Sequence, residues 1–233
     1  MSLSTILLEP EMKESSETVI LPYEVTEEFF IESLGEVEKK QIYSFCKRLF
    51  DIVASLCALI VLAIPMLVVA VAIKCTSPGT AFYRQERLGL DGKRFHIIKF
   101  RTMRMDAETN GAQWSAGDED PRITPFGAFL RKTRIDELPQ LVCILRGSMS
   151  IVGPRPEREC FYEEFETYIH GFHERLKVKP GLTGLAQVEG GYNLRPEEKV
   201  LYDVEYIKAR SFWLDLKIIF KTIRVVLTHD GAK

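Results

Sequence analysis

Hydrophobic and polar positions divide the chain into regions of different character. From Ile52 to Ile73 the sequence IVASLCALIVLAIPMLVVAVAI carries no charge. A helix of that length is about 30 Å long, enough to cross a bilayer core, and it lacks the polar face of a soluble surface helix. After Ser77-Pro78-Gly79, two runs rich in β-branched and aromatic residues, TAFYRQERLG and KRFHIIKFRTM, flank Asp91-Gly92 and predict a β-hairpin. Residues 106–122 are polar and contain Gly and Pro, which predicts a mobile loop. FGAFLRKTR then reads as a short helix. Leu138, Leu141, Val142 and Leu145 recur at helical spacing until Gly147 stops the run. YDVEYIKARSFWLDLKIIFKTIRVVL predicts two helices. The second opens on Phe212 and Trp213 and mixes Leu, Ile and Val with Lys and Arg, the pattern of a helix at a membrane interface; a core-packing helix has a similar pattern.

The apolar segment leaves two topologies open. Lys47 and Arg48 precede it and Lys74 follows, so cations flank both ends, whereas a spanning helix concentrates them on the cytoplasmic side. Pro65 lies in its interior, where it removes a backbone hydrogen bond and crowds the preceding turn. A helix bent there enters and leaves by the same face, so a re-entrant segment is expected ahead of a spanning one. The segment starts too far into the chain, and behind too acidic a leader, for a cleavable signal peptide.

Charge sharpens the division. The formal net charge of the 233 residues is -2. That total hides a glutamate-rich leader over residues 1–38 and a stretch rich in Lys and Arg over much of residues 84–134. Three regions are expected: an acidic N-terminal extension over 1–40, a membrane segment over 41–77, and a cytoplasmic domain over 78–233. The extension reads as a flexible or accessory segment whose deletion leaves activity intact. The hairpin cations, Arg84, Arg87, Lys99, Arg101 and Arg104, form either a solvated face or a surface for anionic headgroups or a phosphorylated ligand. The five cysteines form no CxxC pair and read as reduced thiols, and the sparse histidines give no metal cluster. No P-loop, strand-linked G-x-G-x-x-G or nucleic-acid-binding module is present, so nucleotide hydrolysis, dinucleotide redox chemistry and nucleic-acid binding lack support.

The chemistry concentrates in RKTRIDELPQ. Asp136 and Glu137 follow Arg131, Lys132 and Arg134, and Pro139 falls in what reads as the first turn of a helix. Asp136 is expected at or beside the N-cap. There it is either a plain cap or an ionised nucleophile, held by the helix N-terminus beside cations that offset repulsion from a diphosphate. Paired carboxylates also suit Mg2+, held by Asp136 and Glu137 together with substrate phosphates. Downstream, SMSIVGPRPE presents Arg155 between two prolines, and KPGLTGLAQVEGG offers Thr183 and Gln187 as hydroxyl and amide donors.

Taken in order, KRLFDIV with the apolar segment, KFRTM, DPRITPFGAFLRKTRIDELPQL, GSMSIVGPRP, KPGLTGLAQV and YDVEYIKARSFWLDLKII resemble the bacterial sugar transferase family, the monotopic polyprenyl-phosphate sugar-phosphate transferases or phosphoglycosyl transferases. The resemblance runs from about Lys47 to the end of the chain. It implies an α+β, predominantly helical fold: a re-entrant membrane helix broken near Pro65, a small β-hairpin, and interfacial amphipathic helices in a compact catalytic domain on the cytoplasmic face of the bacterial inner membrane. It also implies that Asp136 attacks the β-phosphate of a nucleoside diphosphate sugar, UDP-linked in the family, and releases UMP. The phosphate of a polyprenol, undecaprenyl phosphate, then takes over the sugar phosphate from the aspartyl intermediate. On the same footing Glu137 is a catalytic residue that helps hold Mg2+ and assists proton transfer, Arg131 matches a residue tied to the lipid phosphate, Lys99 and Arg155 match positions near substrate phosphates, and Asp203 matches a helix carboxylate of less defined role. One departure is Ile64, where small family members often have Ser before the membrane proline. Which sugar is transferred is not legible, and a homodimer is left open. The rival class is a membrane-anchored, non-enzymatic module that binds lipid or a partner.

Overall fold

The computed structural model describes residues 19–21, 23–107, 112–113, 120–190 and 194–228. It combines helices with short two-stranded sheets. The leader is not loose over its described part, which corrects the expectation of a flexible segment. Strand β1, Val19–Ile20, is the first described element, and β2, Phe29–Phe30, pairs in parallel with a later strand at Ile169–His170. Ile31 N donates to His170 O at 2.8 Å and Leu34 N donates to the Glu174 carboxylate at 2.8 Å. Phe29, Ile31 and Leu34 cover a core of Phe161, Tyr162, Phe165, Phe172 and Val200. The leader lacked a clear period because the apolar residues it lays on the core, Phe29, Ile31 and Leu34, lie on a mostly irregular strap.

Helix α1, Gln41–Thr76, is one element through Pro65, so any change of direction there is a bend within a helix. Its length is about 54 Å at 1.5 Å per residue. Among the described residues it is the helix long and apolar enough to cross a membrane. One narrow stripe meets the body. Ala58, Leu59 and Leu62 pack against Ile97, Leu141 and Ile144, and Met66, Val69 and Ala70 join Ile73 against Phe100 and Leu130. Ile60, Val61, Ile64, Leu67, Val68 and Val71 stay exposed on the other side. Both ends are fastened by polar contacts. Asp51 accepts from Ile151 N at 2.9 Å, and Lys47 pairs with Asp215 at 2.7 Å. At the far end Arg101 donates to Pro78 O at 2.6 Å and to Ser77 Oγ at 2.7 Å.

The predicted hairpin forms from β3, Phe82–Leu88, and β4, Arg94–Phe100, antiparallel and in register from Phe82↔Phe100 to Leu88↔Arg94. Asp91 takes a left-handed conformation with φ 56° in the connection. A further strand, β5, Ala112–Gln113, pairs with β1; the rest of the loop over 108–119, with Trp114, lies outside the described residues, as does Tyr192. Helix α2, Pro125–Lys132, and helix α3, Leu141–Arg146, bracket the DELPQ turn. Strand β6, Ser150–Val152, leads into α4, Glu159–Glu166, and β7, Ile169–His170. Strand β8, Gly181–Thr183, pairs in parallel with β6 and precedes α5, Leu185–Glu189. The chain then forms the two predicted C-terminal helices, α6 at Pro196–Ala209 and α7 at Phe212–Thr228.

Two glycines show why the loops keep their paths. A Cβ at Gly181 would stand 2.1 Å from Gly153 N, and one at Gly127 would stand 2.0 Å from Thr102 O. Neither backbone contact leaves room for a side chain.

Candidate active site

Local sequence builds the floor of the site. Thr124 caps α2 by accepting from Gly127 N at 3.0 Å, and Pro125 follows at the first helical position. Because Gly127 lets α2 lie directly on Thr102, Arg131 in its last turn donates Nε to Thr102 Oγ1 at 3.0 Å. The chain then turns through Arg134, a non-glycine residue at φ 56°, into a 3-10 helix over Ile135–Gln140. Asp136 is therefore inside a 3-10 turn, and the expected α-helical N-cap position is corrected. The reason is the entry into the turn: Glu137 N donates to Arg134 O at 3.2 Å, an i→i−3 bond that already encloses Asp136 and leaves it no extended N-cap torsions.

Within this turn Asp136 and Glu137 are both buried, 7 % and 6 % exposed. Lys99, reaching from β4, and Arg155, reaching from the loop after β6, both meet Glu137 Oε1, at 2.7 Å and 2.6 Å. No hydrogen bond among the described residues engages an oxygen of Asp136 or the second oxygen of Glu137. The two carboxyls consequently differ in proton affinity. Burial, with the negative charge of Glu137 beside it, raises Asp136 to about 6 against the pull of Lys99, Arg131 and Arg155. Burial also pushes Glu137 up, but Arg155 and Lys99 outweigh it and hold that carboxyl well below its usual range. Burial lowers Lys99, with Glu137 opposing.

The arrangement gives one carboxylate held ionised by two cations on a single oxygen and one carboxylate, Asp136, without a bonded partner whose proton affinity burial raises. Among the described residues no three metal-ligating side chains stand together. A divalent cation would have to be held by Asp136, the free Glu137 oxygen and oxygens of a substrate. That donor set fits Mg2+, which takes one or two carboxylates plus phosphates.

The structure thus brings Asp136, Glu137, Lys99, Arg155 and Arg131 together. It does not bring Arg101, Thr183 or Gln187 to them. Arg101 is spent on the end of α1, Thr183 Oγ1 bonds Thr222 Oγ1 at 2.7 Å on α7, and Gln187 Nε2 donates to Leu182 O at 3.2 Å. Asp203 pairs with Arg175 at 2.6 Å, behind Arg155. Sequence reasoning missed Arg175 and the Arg87–Glu157 ion pair at 2.9 Å. The only signal among these was Glu157, directly after Gly-Pro-Arg-Pro; nothing around Arg175 in HERLK marked it.

A buried carboxylate pair ringed by cations thus sits on a body docked along a helix long and apolar enough to cross a membrane, an electrostatic setting able to receive an anionic group. Residues 42–229 match the bacterial sugar transferase family, and the chain belongs to it. It is 44 % identical over 203 residues to the UDP-N-acetylgalactosamine-undecaprenyl-phosphate N-acetylgalactosaminephosphotransferase of Aeromonas hydrophila, a match covering 86 % of this chain and 48 % of that protein. It is 42 % identical over 203 residues to the UDP-glucose:undecaprenyl-phosphate glucose-1-phosphate transferase of Xanthomonas campestris, covering 85 % and 42 %. A protein of the same description from Caulobacter vibrioides is 42 % identical over 192 residues, covering 80 % and 71 %. The chain spans less than half the length of the first two relatives.

Proposed function

We propose that the protein is a phosphoglycosyl transferase that moves a sugar phosphate from a nucleoside diphosphate sugar to a polyprenyl phosphate. The relatives' descriptions name UDP-sugars and undecaprenyl phosphate, which supports these as substrates here. The observation that carries the reading is the asymmetry of the carboxylates: Glu137 is occupied by Lys99 and Arg155, while Asp136 is buried, unbonded and ringed by cations.

In the first step an ionised Asp136 oxygen forms a bond to the β-phosphorus of the UDP-sugar. The bond from that phosphorus to the bridging oxygen breaks, and UMP leaves with the electron pair. Lys99, Arg131 and Arg155 offset the negative charge of the diphosphate against the two carboxylates. In the second step a phosphate oxygen of the polyprenyl phosphate attacks the same phosphorus, and the Asp136 carboxylate departs unchanged. Mg2+, when bound, would neutralise charge on the phosphates. Burial of Asp136 keeps water from competing for the acyl phosphate.

The membrane reading follows from how α1 is fastened. Contacts at Lys47 and Asp51 and contacts at Ser77 and Pro78 all reach the same polar body, and so does the stripe between them. A charged body sits on one side of a bilayer, which supports a helix that dips into the membrane from that side and returns. With UDP-sugars made inside the cell, that side is the cytoplasmic face of the inner membrane. Trp213, Phe220 and Ile223 are exposed on α7, which supports its lying against the same surface.

The test is release of UMP from a panel of UDP-sugars by the purified protein in nanodiscs with undecaprenyl phosphate and Mg2+, beside Asp136→Asn. One productive sugar, silent in the variant, is expected. A UDP-sugar labelled in the sugar phosphate and supplied without lipid should also leave label on the wild-type chain and none on the variant. A variant that turns over normally would leave Asp136 as a structural residue and favour the non-enzymatic anchor.

A further inference from the structure

The loop after β6 carries Arg155 to Glu137, and a guanidinium behind it bonds the carbonyl of Arg155 itself. Arg175, in the 3-10 helix Phe172–Lys177, donates from its terminal nitrogen to Arg155 O at 3.0 Å. Its other partner is Asp203 on α6, at 2.6 Å, and both side chains are only 2 % exposed. The guanidinium also lies over the rings of Phe172 and Tyr162, at 4.8 and 5.9 Å from their centroids. It is thus fixed by an ion pair and two aromatic faces before it meets Arg155.

The loop needs such a support. Pro154 and Pro156 fix the torsions on either side of Arg155 but give no N–H with which to bond the loop. Its attachments come instead from outside: Gly181 N to Pro154 O at 2.9 Å, Leu88 N to Glu157 O at 3.0 Å, and Arg175 to the central carbonyl. Arg87 also donates to Pro156 O at 3.4 Å; the bond from Arg175 lies on the residue that touches Glu137.

We propose that Arg175 and Asp203 are positioning residues for the transfer reaction, acting through the backbone of Arg155 to aim its guanidinium at Glu137 and at substrate phosphate. This assigns Asp203 a place behind the site instead of a contact with substrate. The proposal rests on the transfer reading above.

The experiment uses the full chain in nanodiscs and measures UMP release in a mutant cycle. Removing one member of the buried pair would strand the other, so the first variant is Arg175→Met with Asp203→Leu, which replaces both charges by apolar side chains of similar size. Arg175→Lys, which keeps a charge opposite Asp203 but loses the planar guanidinium whose one terminal nitrogen reaches both partners, is run in the same cycle and decides the matter if the first variant does not fold. Each is expected to lower kcat/KM by about 10- to 100-fold, in the range found for groups that orient a functional side chain. Adding Arg155→Ala to either variant should then cost little more, because the residue through which they act is already misplaced. Turnover equal to wild type, or a full multiplicative cost of Arg155→Ala on top of the first loss, would overturn the proposal. A wild-type protein that releases no UMP would overturn the transfer reading and this proposal with it, an outcome told apart from the others by the parent alone.

Discussion

Asp136 and Glu137 share one turn and nearly equal burial, yet their proton affinities move apart because Lys99 and Arg155 bond only one of them. Since attack needs the ionised carboxylate, kcat/KM should fall on the acid side as pH drops through about 6, the value to which burial raises Asp136. Lys99 pulls Asp136 downward, so Lys99→Met should move that limb to higher pH while the protein stays folded. A pH profile of UMP release checks both, and a limb near the ordinary aspartate value would contradict the burial argument. The turn that presents the pair has its own signature in Arg134, held at φ 56°. Arg134→Gly should leave thermal stability unchanged or slightly raised, whereas Arg134→Val should destabilise by about 1–3 kcal/mol, because a β-branched residue resists left-handed torsions. The carboxylate pair was legible from residue types beside a cationic run. Arg134's torsion was not, since nothing in KTRID marks a residue other than glycine for positive φ.

At the scale of elements, legibility followed periodicity. The apolar stretch inside α1, the two strands flanking Asp91-Gly92 and the C-terminal helices α6 and α7 each carry a repeating pattern long enough to read. The turn over Ile135–Gln140 read as α-helix because its apolar spacing continues into α3, and spacing does not reveal that the chain enters the turn through a left-handed Arg134 with an i→i−3 bond. Thr183 and Gln187 looked like ligands because donors in a Gly-rich loop suggest a site. In the fold that loop is the partner strand of β6, and the close approach of Gly153 and Gly181 is what it contributes. Spacing in the leader gave no hint that its described residues pack on the body. Its described residues cover the core around Phe165 and bond β7, and Glu32 pairs with Lys208 at 2.6 Å. Deleting residues 1–38 should therefore lower the thermal midpoint and uncover Phe161, Phe165 and Phe172, seen as increased binding of a hydrophobic dye. Burial of Phe29, Ile31 and Leu34 sets the size of the loss, each such side chain contributing about 1.5–3 kcal/mol when fully buried and less here. A truncated chain as stable as the parent would restore the accessory reading.

For the whole molecule the decisive question is how a helix about 54 Å long meets a bilayer whose core is about 30 Å thick. A straight crossing would carry one end away from the body, breaking either the Lys47–Asp215 and Asp51–Ile151 contacts or the bonds from Arg101 to Ser77 and Pro78. Each set includes a charged group with little exposure: Asp51, Asp215 and Arg101 are all buried, and stripping a partner from a buried charge is among the costlier changes a fold can suffer. The hydrophobic gain from inserting the exposed face of α1 is available without that loss if the helix bends near Pro65, where a backbone hydrogen bond is already missing. Cys46 and Cys75 stand near the two ends of the helix, and both are exposed. An impermeant thiol reagent should therefore leave both unlabelled on intact cells and label both in inverted vesicles, while Cys57, inside the apolar stretch, reacts in neither. Labelling of Cys46 and Cys75 from opposite sides would mean that one set of contacts does not persist in the membrane, and that the catalytic body is held by only one end of its anchor.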